Sequence, residues 1–519
     1  MSDTSVTAPA AGTGPARRPG QPDLTTGPIG KTLIAFALPV MGANIVQSVN
    51  GSANAIWVSH VLGEASLTAI SNANQIFFLM LGASFGVSMA ANIMIAQAIG
   101  ARDDALARRV VGTSTAFFIA LSLAVGVAGY VLTPAILDAM GTPDDARAGA
   151  IAYLRVIFAA MPFIYFFTFL MMAQRGTGDS RTPFYFSLMA VGLDIILNPL
   201  LITGYGPFPQ LGIAGSAWAT LISQTITLVA MIAHLYRSNS ILMLRPSQAR
   251  LLIPDLSIVR ALVLKGLPMA FQMMVISLAA VTMMSFVNGY GSQTAAAYGA
   301  AVQLWTYVQM PAMALGAAVS SMAAQNVGAG RMDRVAEIAR KGVLFAAIMT
   351  TTPIILIYLA EGWVLQAFLP ATSPSLAIAV HINEIVLWGF IPFGMAFIFS
   401  GIVRATGAVW PPLLAMIIAL WGVRVPFASL LEPALGADAV WISFPVGSLV
   451  SCLLAAGYYR WGGWRKAKML ATHPPTFPRG ETADTGMAPP SGVEETEAAV
   501  DAANKVRGGI ASRLSRRGS

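Results

Sequence analysis

"RGTGDSRTP" runs from Arg175 to Pro183, and "RATGAVWPP" runs from Arg404 to Pro412, 229 residues later. Arg, Thr, Gly and the final Pro agree. Working outward, the same register returns. "ALPVM" places Pro39 where "GLPMA" places Pro268, again 229 apart. "MIAQAIGA" (Met94–Ala101) and "MAAQNVGA" (Met322–Ala329) agree at 228, as do Gln75 and Gln303. Separated motifs on one register mean that the chain is two homologous halves.

The halves are membrane-embedded. Of 519 residues, 56% are hydrophobic and only 10% charged, with a mean hydropathy of +0.68. A soluble chain carries about 25% charged residues. Twelve apolar stretches are long enough to span a bilayer as helices, near 32–58, 66–98, 110–135, 150–174, 184–204, 212–236, 261–287, 295–327, 342–359, 377–403, 412–431 and 438–460. Each needs roughly 20 apolar residues. Runs such as "GVSMAANIMIAQAIG" lack the alternation of barrel strands. The expected fold is an all-α integral membrane protein with twelve transmembrane helices. Six spans per half is an even number, so both halves enter from the same side. They form parallel six-helix repeats about an axis along the membrane normal, around a central cleft. The expected organisation is a lobe at 31–240, a linker at 241–257 and a lobe at 258–462.

Charge gives the orientation. The net charge is +8. With the N-terminus in the cytoplasm, all 31 Lys and Arg except Arg147, Arg155 and Arg424 fall on the cytoplasmic side. The basic excess is thus a positive-inside signal and does not call for nucleic acid. It places both termini in the cytoplasm of a bacterial-type plasma (inner) membrane. Residues 1–30 lack the apolar core of a signal peptide. That segment and 463–519, rich in Ala, Pro, Gly and charge, read as disordered tails. The single cysteine, Cys452, excludes an internal disulfide and a cysteine metal centre.

Polar residues inside the spans are the candidate site. "SLMAVGLDIILNPLLITG" (Ser187–Gly204) carries Asp194 about 15 Å into the fifth span. A charged Asp at mid-span costs roughly 2.5–3.5 kcal/mol. A carboxyl that is neutral in one state and ionised in another is what proton coupling requires. Asn198 follows one turn later on the same face. Gln47 and Asn54 are two turns apart on the first span, and Thr220 adds a hydroxyl on the sixth. These oxygens suit a proton, a substrate cation, or a sodium ion at Asp194 and Asn198; otherwise they are hydrogen-bonding glue between helices. Arg424 in the eleventh span and Glu384 in the tenth form a possible second site. Arg175 and Arg404 are expected to cap helix ends at the membrane surface. Pro39 and Pro268 are candidate hinges, unless they start their helices. Phe271, Met273 and Met274 are candidates to line an adaptable apolar cleft.

An enzyme is not indicated. "GASFG" (Gly82–Gly86) matches a nucleophile elbow in letters, but an elbow needs a strand before it. Here it sits in a long apolar helix, where its glycines permit close packing. His60, His234, His381 and His473 are scattered, and no His-x-x-x-His metal pair is present.

At the duplicated motifs the chain resembles the multidrug and toxic compound extrusion (MATE) family, with features of its DinF-type branch. The Gln-x-x-Gly-Ala segments after the second and eighth spans carry the resemblance. So do the paired Arg-x-x-Gly motifs, "LGIAGSAWATLISQ" (Leu211–Gln224) and "WGVRVP" (Trp421–Pro426). It covers about 31–462. The resemblance implies twelve helices in two lobes. It implies export of cationic or amphiphilic drugs and metabolites, exchanged for protons or, failing that, sodium ions. It implies no cofactor beyond the coupling ion, and a monomer in the lipid bilayer. The family's coupling acid on the first helix corresponds to Asn54, an amide. The carboxylates that some branches carry on helices seven and ten are also missing. One carboxylate is thus relocated to Asp194 within one pocket. A lipid-linked sugar flippase of the same broad superfamily is the alternative, and an intramembrane enzyme a remote one.

Overall fold

The structure is a computed structural model that describes residues 23–62, 64–142, 144–205 and 209–470. Twelve long helical elements follow in order: α1 (Ile29–Leu62), α2 (Glu64–Gly100), α3 (Asp104–Ala139), α4 (Asp144–Thr177), α5 (Arg181–Thr203) and α6 (Ile213–Arg237) make the first half. The second half has α7 (Leu256–Asn288), α8 (Ser292–Gly328), α9 (Met332–Leu359), α10 (Pro374–Ala405), α11 (Trp410–Leu435) and α12 (Asp438–Trp461). Among the described residues no strand occurs. Eleven of these elements are long and apolar enough to cross a membrane. The exception is α8. It is 37 residues long, but Gln293, Gln303, Gln309, Ser320, Ser321, Gln325 and Asn326 dilute its hydropathy. It tolerates them because it runs through the centre of the molecule, packed by α1, α2, α9 and α10.

The halves repeat each other in packing. In the first, α4 lies against α2, α3 and α6, and α5 lies against α6. In the second, α10 lies against α8, α9 and α12, and α11 against α12. The first helix of each half crosses over: α1 packs on α8, and α7 on α2. One asymmetry stands out. α1 runs closely along α5, whereas its counterpart α7 touches α11 sparsely.

Glycine allows the crossing of α2 and α7. A side chain at Gly86 would run into the backbone of Ala270, and one at Gly266 would meet Val87. "GASFG" therefore lies inside a continuous helix, with Ser84 buried, and serves packing as expected. Pro39 and Pro268 sit ten and twelve residues inside α1 and α7, so neither starts its helix. The tenth and eleventh spans are not uniform α-helix. α10 passes through a 3-10 turn at Leu387–Gly389, and α11 is π-helical over Ile418–Arg424.

At the end of the molecule where the basic loops lie, the two halves are tied reciprocally. Gln97 Nε2 donates to the carbonyl of Ala405 (2.6 Å), and Gln325 Nε2 donates to the carbonyl of Gly176 (2.9 Å). Both donors and both acceptors are repeat counterparts. Gly100 abuts the backbone of Gln325, and Gly328 that of Gln97, so the helix ends touch without side chains between them. The chain just before α1 is bound too. Asn326 donates to Leu24 O (3.0 Å), Arg331 to Thr25 O (2.7 Å) and Arg334 to Gly27 O (3.0 Å). In the linker, Asp255 caps α7 through Ser257 N (2.8 Å) and pairs with Arg109 of α3. Burial pushes its carboxyl up, but the Ser257 hydrogen bonds and the Arg109 charge outweigh that and hold it below the usual range.

The described chain runs past both expected tail boundaries, at residue 30 and residue 463. Leu24 is buried under α8, and Trp464 and Met469 pack back on the core, with Trp464 stacked on Tyr459. Two or three large apolar side chains suffice to hold segments that otherwise read as polar. Residues 1–22 and 471–519, including His473, lie outside the described residues.

Candidate functional site

Asp194 is reached by three helices. α5 carries Asp194 and, one turn on, Asn198; both are buried. α1 brings Asn50 and Asn54, also one turn apart. α6 brings Thr220 and Ser223, three residues apart on one face. Asn54 Nδ2 donates to Asp194 Oδ2 (3.2 Å), and Asn50 adds a further side-chain hydrogen bond. Thr220 Oγ1 lies 3.1 Å from Asp194 Oδ1 and 3.3 Å from Ser216 O, so its one proton serves one of the two. Ser223 Oγ is 3.5 Å from the same carboxylate oxygen. Asn198 Nδ2 donates to Asn54 Oδ1, completing a chain from α5 through α1 back to α5. Buried Tyr153 of α4 lies close enough to feel the Asp194 charge.

The composition of this pocket matters more than any single bond. Every described neighbour of the carboxylate is neutral. Among the described residues no Lys, Arg or His forms an ion pair with Asp194. Two buried amide oxygens, Asn50 Oδ1 and Asn198 Oδ1, have no donor. A carboxylate without a described counter-ion and two unsatisfied amide oxygens on the neighbouring turns are oxygen ligands of the kind that small cations take.

The sequence candidates divide. Asp194, Asn198, Asn54 and Thr220 come together as the pattern indicated. Gln47 does not. It lies on the same stripe of α1, but it is exposed, one turn short of Asn50. Asn50, Ser223 and Tyr153 were missed. For Asn50 and Ser223 a signal existed: each falls one turn from a chosen residue, on the chosen face.

Glu384 and Arg424 are not joined into a second site. Glu384 projects outward with its side chain 60% exposed, 4.0 Å from His381, while Tyr358 bonds its backbone. Arg424 instead stacks on Phe444 of α12, with its guanidinium carbon 3.2 Å from the ring centre. Arg175 and Arg404 do not cap helix ends either; both are buried, with their described partners in their own halves. Arg404 donates to Gln272 Oε1 (2.9 Å), and Arg175 reaches only the sulfur of Met172 (3.9 Å). The capping falls to Thr177 and Thr406, whose hydroxyls bond the carbonyls of Gln174 and Val403, and to the glutamines from the opposite half. Gly178 and Gly407 then turn the chain at φ near +97° and +101°, which a side chain would resist. Phe271, Met273 and Met274 do come together, with Phe78 and Met80, around a cavity of about 220 Å³ between α2 and α7.

The MatE family model matches twice, at residues 39–200 and 268–430. The chain belongs to the MatE family. Its duplication is thus the family's own, and the chain is a multi-pass membrane transporter rather than an enzyme. It is 37% identical over 441 residues to the probable multidrug resistance protein YoeA of Bacillus subtilis, covering 85% of this chain and 95% of that one. It is 32% identical to YpnP of the same organism, over 86% of this chain and 98% of that protein. The fold matches the solved outward-facing conformation of a multidrug resistance MATE family transporter, with a TM-score of 0.79 at 21% identity over 86% of this MatE chain and 98% of the other.

Proposed function

We propose that this MatE protein exports cationic or amphiphilic organic compounds across the bacterial plasma membrane. Its two halves rock to expose the cleft to either side, and cations flowing inward drive the exchange. Both termini face the cytoplasm. The observation that carries this reading is Asp194: a buried carboxylate with neutral neighbours, whose missing positive partner is the coupling ion. A proton is the first choice, since a carboxylate buried in an apolar span with no positive partner sheds its desolvation cost by taking one up; sodium is the second, through the unsatisfied amide oxygens. The names of the relatives, multidrug resistance proteins, support drugs over lipid-linked sugars as cargo. One elementary charge crossing 100 mV supplies roughly 2.3 kcal/mol, enough for a moderate gradient of a cargo with no net charge; one-for-one exchange with a monovalent cation moves no net charge, and the ion's concentration gradient drives it.

The test is dye efflux from proteoliposomes under a proton gradient and, separately, a sodium gradient. The wild type is expected to export a cationic dye under the proton gradient. Asp194→Asn is expected to abolish gradient-driven export while still binding dye. Undiminished export by Asp194→Asn makes the carboxylate helix glue and removes the proposed mechanism. Export under the sodium gradient alone makes sodium the coupling ion.

A further inference from the structure

Arg424 stands where the second half repeats Asp194. Pro183 of α5 has its match 229 residues on, at Pro412, but Gly192 has its match 230 on, at Gly422. One residue is therefore inserted between them. The π-helical stretch Ile418–Arg424 takes it up, as π segments do. With the insertion counted, Asp194 corresponds to Arg424. The neighbours correspond as well. Trp218 and the Tyr236-Arg237 pair of α6 return 223 residues on as Trp441 and Tyr459-Arg460 of α12. That register puts Ser443 and Phe444 at the places of Thr220 and Leu221. Both charges lie about 20 Å into their helices from the basic end.

The surroundings have changed with the sign. Asp194 is bonded by amides and hydroxyls. The Arg424 guanidinium carbon sits over the Phe444 ring, and Tyr298 is near enough to feel its charge. Trp305 backs Phe444 at 5.0 Å between ring centres, and Tyr298 in turn packs edge-on to Trp305 at 5.7 Å. Gly447 makes room for the stem: a Cβ there would stand 3.2 Å from Arg424 Cβ. Among the described residues no carboxylate pairs with Arg424, and its Nε is buried without an acceptor. Stacking on an aromatic face returns only about 0.5–2 kcal/mol. Intramembrane charges are normally paired, so the planar donor edge of this one lacks its acceptor. The sparse packing of α7 on α11 leaves that region less covered than Asp194, which α1 closes over.

We propose that Arg424, on its wall of Phe444 backed by Trp305 and Tyr298, is a second ligand subsite that takes the carboxylate of an amphiphilic aromatic substrate. The inference rests on the export reading above and extends its substrate class. Organic carboxylates are read by the second half, apart from the coupling-ion site at Asp194, and zwitterions join the substrate class. The guanidinium fork suits a carboxylate in two-point contact, and the aromatic wall suits the ring that carries it.

The experiment compares two dyes on the full-length protein: a rhodamine with a free benzoate and the same rhodamine as its methyl ester. Binding is read by fluorescence anisotropy for wild type, Arg424→Gln and Arg424→Lys. Arg424→Gln is expected to lose about tenfold in affinity for the free acid, the worth of a charged hydrogen bond. Its affinity for the ester is expected to hold, and Arg424→Lys to keep part of the preference. Equal losses for acid and ester, or no loss for either, overturn the subsite. Should Arg424→Gln not fold, benzoate competition on the wild type decides: it is expected to displace the acid dye and spare the ester, and displacement of both or neither overturns the proposal. Export of ethidium, which has no carboxylate, is measured in the same vesicles. If the wild type fails to export it, the export reading has failed; if it exports ethidium but ignores the carboxylate, only the subsite has.

Discussion

At the scale of single residues, Asn54 is the instructive position. It donates to Asp194 and accepts from Asn198, so it is the hinge of the hydrogen-bond chain. It is also where the resembling family carries its first-helix acid. If the carboxylate has moved across one pocket, the move should be reversible. Asp194→Asn alone is expected to lose gradient-driven export. The double variant Asp194→Asn, Asn54→Asp is expected to recover it to within about tenfold of wild type, because Asp and Asn are nearly the same shape and the two sites are in direct contact. Asn198 already donates to the oxygen that would become the carboxylate. Efflux assays on both variants check this, and a double variant as dead as the single one shows that position 194 itself is required. Asp194 was legible because one charge in a long apolar run is a local anomaly. Asn50 and Ser223 carried only a weak signal, one turn from Asn54 and Thr220, since lone amides and hydroxyls are ordinary in membrane helices and the crossing of three helices gives them their target. Glu384 stands apart from Arg424, because position along a helix does not say which side of it faces the interior.

At the scale of helices, the spans were legible and their irregularities were not. The apolar runs mark twelve elements, yet α8 reads as less apolar than its burial allows, because other helices rather than lipid surround it. The π segment in α11 leaves a trace in the sequence, a shift from 229 to 230 in the repeat register, that only a residue-by-residue overlay reveals. Packing between elements leads to a second prediction. Gly86→Val puts atoms into the backbone of Ala270, where α2 and α7 cross. Overpacking of this kind costs typically 1–3 kcal/mol, more where backbone cannot yield. Gly51→Ala meets nothing within 4 Å and gains helix propensity. Melting in detergent is expected to fall by several degrees for Gly86→Val and to hold or rise for Gly51→Ala. Equal melting of the two would mean that the crossing is loose enough to absorb a side chain.

At the scale of the whole molecule, the duplication was legible from three short motifs, but its consequence was not. The sequence shows two similar halves; it does not show that they clasp each other. The clasp is made of repeat counterparts, Gln97 to Ala405 O and Gln325 to Gly176 O, with Gly100 and Gly328 letting the backbones meet. Because all four groups lie at the basic end, they close the cleft toward the cytoplasm in the proposed orientation. Rocking of the halves must break both bonds together, since each is the image of the other. Each is a neutral hydrogen bond worth about 0.5–1.5 kcal/mol net, so the pair biases the equilibrium without locking it. Gln97→Ala with Gln325→Ala is therefore expected to shift the population toward the cytoplasm-open state by about one to two orders of magnitude. A cysteine placed at Ser320, buried near the clasp, reports it: its labelling by a membrane-impermeant maleimide from the cytoplasmic face should rise in the double variant. Each single variant should give an intermediate rise. Unchanged labelling in the double variant would mean that packing of the helix ends, and not the glutamines, holds the cytoplasmic side shut.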